Sequence, residues 1–159
     1  MEPAAIASAL AARLGQLLPS LDASARPAFL ATLERKAGER YDAWAHAADS
    51  AADAALLRAC AERERTIATR VETEFPVDAR QAATYAALVP DAARTYGDAF
   101  VGLSRLEAFT VQALLERAGA NAWRGFAAAE SDPRRKAILL ECATLEEASA
   151  DVLDRMRRA

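Results

Sequence analysis

Two stretches of this chain place a charged side chain where a folding helix should bury hydrocarbon. CAERERTIA begins at Cys60 and CATLEEASA at Cys142; in each, a glutamate follows the cysteine by four residues and an alanine follows it by eight. On a helix turning about 100° per residue these three side chains share one face. Leu57, Val71 and Phe75 join that face around Glu64, and Leu139 and Leu153 join it around Glu146. Both carboxylates therefore stand in the middle of an apolar stripe. A buried carboxylate without a partner costs several kcal/mol, so these two must meet a cation, a proton or each other.

The same construction is predicted in two further helices. Leu30, Tyr41, Ala45 and Ala48 lie within about 40° of Glu34. Phe100, Leu103, Val111, Leu114 and Ala118 lie within about 40° of Glu107. Glu39 falls well outside the stripe of its own helix and reads as solvated. One inward glutamate per helix predicts four carboxyl groups converging at mid-fold, where they raise one another's pKa values. A metal ion, shared protons or an arginine would relieve that repulsion. The alternative is that alanine-rich faces leave one or two of the glutamates in contact with solvent at a helix end.

Alanine makes up roughly a quarter of the 159 residues, far above average usage, and it is the best helix former. No segment alternates as a strand does. The expected fold is all-α. A short N-terminal helix is predicted over about 4–18, then long helices over about 26–48, 51–75, 91–118 and 133–157. Asp49 or Ser50 is the expected N-cap of the second long helix and Asp132 that of the fourth. The long helices pair as two hairpins across short loops, and residues 76–90 form a long connection between them with a short helix of its own. Short loops make antiparallel neighbours and a long central connection makes a crossover, which is ferritin-like four-helix bundle topology. The organisation expected is one domain, with residues 1–25 an N-terminal helix and linker and residues 26–159 the bundle.

The net charge is −3 and the pI about 5.3, which gives no electrostatic case for nucleic acid or an anionic membrane. The basic residues are nearly all arginine, as a GC-rich bacterial genome would favour. No apolar run reaches the ~18 residues of a membrane span. The N-terminus lacks the basic region of a signal peptide, so a cytoplasmic location with two reduced cysteines is expected.

The stretch ERKAGERYDAWA, from Glu34 to Ala45, resembles the first helix of rubrerythrin-type ferritin-like domains. Glu34, Ala37, Tyr41, Trp44 and Ala45 carry the likeness, which extends over about residues 26–157. The resemblance implies that Glu34, Glu64, Glu107 and Glu146 are the metal-ligand glutamates of the four helices. It also implies Glu-x-x-His on the second and fourth helices. Here those histidine positions hold Ile67 and Ser149, so the ordinary ligand set is incomplete. His46, the single histidine, lies off its helix's stripe and reads as a surface residue. Tyr41, Cys60, Cys142 and Ser149 are expected beside the carboxylates. Either cysteine would suit zinc as a thiolate, while buried cysteine commonly acts as a small hydrophobe.

Three functions follow as expectations. One is a ferritin-like structural or interaction module whose carboxylate site has degenerated; it carries no cofactor, and its partner is another protein or a second copy of itself. Another is a carboxylate-bridged iron or manganese protein with oxidoreductase or storage activity, since glutamates suit hard cations. The third is a helical bundle that binds an apolar ligand or a partner helix.

Overall fold

The computed structural model describes residues 2–158, and among these the only regular secondary structure is helical, with no strand. Helix α1 spans Pro3–Gly15 and is followed by a 3₁₀ turn, Leu18–Ser20. The remaining helices are α2 (Arg26–His46), α3 (Ala51–Glu74), α4 (Ala82–Asp98), α5 (Arg105–Ala129) and α6 (Pro133–Met156). The starts follow from local chemistry. Ser50 accepts the Asp53 N–H at 3.0 Å, and Asp132 accepts the N–H groups of Arg134 and Arg135. Each cap satisfies donors that have no partner inside the helix. Pro133 then sits where its missing N–H costs nothing.

The third long helix departs from the sequence expectation. Residues 91–98 belong to α4, which runs through Pro90, and α5 begins only at Arg105. A proline inside a helix costs ~3 kcal/mol. Here Ala92 and Tyr96 are buried, and Tyr85, Leu88 and Val89 are partly buried against the same cluster, which offsets that cost. The break between the two helices is fixed by Gly102, whose φ of 79° suits glycine, and by a capping box at Ser104. Helix α5 also continues past residue 118, where the third long helix was expected to end, and Gly119 lies in its interior.

Helices α2 and α3 pack along their length as one hairpin, and α5 and α6 as another. The hairpins meet mainly through α3 and α6. There the recurring nine-residue motif finds its reason. Cys60 and Ala150 lie in one apolar cluster with Leu57 and Leu153, and Cys142 and Ala68 lie in another with Val71 and Leu139. The two motifs run in opposite directions past each other, so the cysteine of one stands near the alanine of the other and both glutamates fall between the clusters. Helices α2 and α5 hardly touch; α4 lies against α2, and α1 lies against α5. No helix is long and apolar enough to cross a membrane.

Candidate metal centre

The centre lies between the two main apolar clusters. Glu34 from α2, Glu64 from α3 and Glu146 from α6 each bring one carboxylate oxygen to within 4.8 Å of the others. All three are buried, Glu64 completely. The fourth carboxylate comes from Glu116 of α5, 2% exposed, whose charge acts on the other three.

Glu107 does not take part, contrary to the sequence reading. It is exposed at the third position of α5, where its Oε2 accepts the Ser104 N–H at 2.8 Å and the Ser104 hydroxyl at 2.6 Å. Those hydrogen bonds hold its carboxyl below the usual range. The residues that α5 actually buries are Ala108, Phe109, Val111, Gln112, Ala113, Glu116, Ala120, Trp123 and Ala127, so of the stripe expected around Glu107 only Val111 is buried. A helix begun fourteen residues too early put the wrong glutamate on the inner face. Two signals pointed to Glu116: Leu-Glu-Arg occurs at 33–35 and again at 115–117, and an aromatic follows each glutamate by seven residues, Tyr41 and Trp123.

Neutral donors surround the carboxylates. The Ser149 hydroxyl donates to Glu64 Oε1 at 2.8 Å, and the Trp123 indole N–H donates to Glu146 Oε1 at 2.8 Å. Tyr41 O–H and the Gln112 amide both donate to Glu116 Oε1, each at 2.7 Å. Tyr96 O–H donates in turn to Gln112 Oε1 at 2.7 Å. Glu146 is within hydrogen-bonding reach of both Glu34 and Glu116. This close approach depends on Gly119, where an added Cβ would lie 2.7 Å from Glu146 Oε1. Two buried oxygens, Glu64 Oε2 and Glu116 Oε2, have no partner.

No basic side chain among the described residues pairs with these four groups. The ion pairs lie elsewhere, as with Arg65 and Asp42 or Arg117 and Asp154. The Arg40 guanidinium is held by aromatic rings, with its central carbon 3.5 Å from the Phe100 centroid and 4.8 Å from that of Tyr96. Arg63 relieves Glu64 only slightly. Burial, followed by mutual repulsion, therefore pushes the carboxyls up: Glu34 to about 8, and Glu64 and Glu146 well above the usual range.

The residues expected beside the carboxylates divide by role. Tyr41 and Ser149 donate hydrogen bonds to them. Burial holds the Tyr41 phenol well above its ordinary pKa, so it remains a donor. Cys60 and Cys142 are free and buried, and burial pushes both thiols up to about 12. Neither belongs to the converging donor set, and both pack as hydrophobes. Ile67 is completely buried. His46 is exposed, and its Nδ1 lies 2.7 Å from the Asp42 carbonyl oxygen.

Chemically the donor set is all oxygen. Two oxygens on one ion at ~2.1 Å are at most ~4.2 Å apart, and at calcium-like distances of ~2.4 Å at most ~4.8 Å apart. Oxygens that all lie within 4.8 Å of one another are thus close enough to share one large hard cation. No protein-family model, no curated protein and no solved structure matches this chain.

Proposed function

We propose that the chain is a carboxylate-only metal-binding protein whose bundle has ferritin-like topology, with Glu34, Glu64, Glu116 and Glu146 holding one or two hard divalent cations such as manganese or iron. One observation carries this reading: three buried carboxylates converge beside a fourth, Glu116, without a basic partner, and two oxygens of the four groups have no hydrogen bond at all. Buried charge is retained where it is paired or coordinates a metal. Oxygen donors favour hard cations over soft ones. The two hairpins with α4 between them support the topology. Ser149, Trp123, Tyr41 and Gln112 would orient the ligands, as hydrogen-bonding neighbours do around metal sites. With nitrogen ligands replaced by Ile67 and Ser149, water would complete the coordination.

A second reading has its own support. Glu146 lies within reach of both Glu34 and Glu116, so shared protons would also relieve the repulsion. The protein would then be a structural or interaction module with no metal. Calorimetric titration of chelator-treated protein with Mn²⁺ separates the two. Stoichiometric binding to wild type, lost in Glu64→Gln, is expected from the metal reading. Wild-type protein that takes up no Mn²⁺, Fe²⁺ or Ca²⁺ would leave the proton-sharing module in its place.

A further inference from the structure

A cavity of about 180 Å³ lies in the gap between α2 and α5, roofed by α1 and the turn after it. Its sides are hydrocarbon, chiefly Leu14, Leu18, Phe29, Leu30, Leu33 and Leu115. Its inner end is polar and consists of Glu34, Glu116 and Glu146, with Gln112 and Tyr96 nearby. Glu116 is among the most deeply buried side chains of the protein, and its Oε2 has no partner. Three positions that could close the gap with larger side chains are instead Ala11, Ala118 and Ala122.

We infer that this cavity is a binding site for one uncharged, apolar small molecule about the size of a single aromatic ring or a short branched alkane, seated with one end against the carboxylate centre. Size sets the upper limit, since a cavity of roughly 150 Å³ lined by leucine, isoleucine and phenylalanine accepts benzene. It is too small for most drug-sized ligands, whose pockets begin at ~300 Å³. Polarity excludes water from the outer part, because an ordered water needs two to four polar partners and the leucine walls offer none. Charge excludes anions, because no basic residue lines the cavity and three glutamates close its end. A cationic guest would compete with the metal for the same oxygens, so the guest that shares the site with a metal is neutral. The inference supplies a ligand class for the proposed metal centre and relies on that reading for any chemistry there. Binding of the guest itself requires no metal.

The test uses full-length protein, with fluorobenzene as probe and ¹⁹F NMR as readout. Saturable one-site binding to wild type is expected, with or without Mn²⁺. Ala122→Leu and Ala118→Leu, confirmed as folded by circular dichroism, should each weaken it at least roughly tenfold, because the added methylenes occupy the guest's space. Glu64→Gln should retain fluorobenzene binding while losing Mn²⁺, since Glu64 belongs to the carboxylate cluster but does not line the cavity. Absence of saturable binding to wild type would overturn the inference. So would binding that survives both leucine variants, or tighter binding of benzoate or benzylamine than of fluorobenzene. Mn²⁺ binding without fluorobenzene binding removes this inference and leaves the metal centre; the reverse result removes the metal centre and leaves the cavity.

Discussion

The α3–α6 and α2–α5 seams bring two glutamates each to one centre, and they are built differently. At α3–α6 the helices pack closely through Cys60, Ala68, Cys142, Ser149 and Ala150, all buried, and Ser149 spans the seam to Glu64. At α2–α5 the helices stand apart, polar side chains bridge them through Tyr41 to Glu116, and a cavity remains that α1 covers. Small residues serve opposite ends in the two places. In the closed seam they let backbones approach. In the open seam Ala118, Gly119 and Ala122 leave space unfilled. The same alanine-rich composition thus makes a rigid support on one side of the carboxylates and an approach to them on the other.

The largest effect expected is that of pH on metal-free protein. Glu34, Glu64 and Glu146 have folded-state pKa values above their unfolded ones. Such a carboxyl keeps its proton when folded after the unfolded chain has lost it, so stability falls as pH rises. For Glu34 the loss runs from about 4.5 to about 8; Glu64 and Glu146 act in the same direction. Each pH unit costs about 1.4 kcal/mol per group that behaves this way. Urea midpoints of chelator-treated protein should therefore fall steadily from pH 5 through pH 6.5 to pH 8. Excess Mn²⁺ should restore stability most at pH 8, where it displaces fewer protons than at pH 5 or 6.5; at a hundred times its Kd the gain is ~2.7 kcal/mol. Carboxyl ¹³C shifts should show Glu34, Glu64 and Glu146 all keeping their protons above the ordinary carboxylate range. Ordinary carboxylate titration of all three would mean that the centre is open to water.

A matched pair of substitutions tests packing. Ala150→Leu overfills the closed seam and should cost ~2–3 kcal/mol. Ala122→Leu fills the open one and should be neutral or add up to ~1 kcal/mol. Thermal melts read the difference at roughly 2–4 °C per kcal/mol for a chain of this size. Equal losses from both would mean that the α2–α5 gap is closed in solution. A smaller change is expected from Ser149→Ala, which leaves Glu64 with neither oxygen partnered and should cost ~1–2 kcal/mol.

The closed seam was legible in the sequence and the open one was not, for physical reasons. Residues 51–75 and 133–157 carry one uninterrupted stripe each, bounded by Ser50 and Asp132, so Glu64 and Glu146 follow from periodicity alone. Glu34 followed in the same way from the stripe of residues 26–48. Between residues 76 and 104 that logic broke down. Pro90 signals a helix start, but tertiary burial of Ala92 and Tyr96 carries α4 through it. Starting the next helix at 91 selected a face containing Glu107 and left Glu116 unnoticed. The role of α1 had no local signal at all, because a wall is defined only by the gap it covers.

The smallest effect separates the glutamate that the sequence pointed to from the one the fold uses. Glu107 and Glu116 lie nine residues apart on α5, one exposed at its first turn and the other buried at its centre. Glu107 returns a hydrogen bond to the backbone N–H of its own N-cap, Ser104, while the Ser104 hydroxyl accepts the Glu107 N–H. Removing its side chain loses half of that reciprocal cap and a favourable charge near the helix N-terminus, a small effect in an exposed position. Glu107→Ala should lower the melting temperature by a few degrees at most and leave Mn²⁺ affinity unchanged. Glu116→Gln keeps the acceptor for Tyr41 and Gln112 but removes a charge from the centre. It should weaken Mn²⁺ binding at least tenfold, about 1.4 kcal/mol, while metal-free protein gains stability at pH 8 because like charges no longer face one another. If Glu107→Ala weakened Mn²⁺ binding and Glu116→Gln did not, α5 would be turned by a different register in solution, and the stripe from Phe109 to Ala127 would have to face elsewhere.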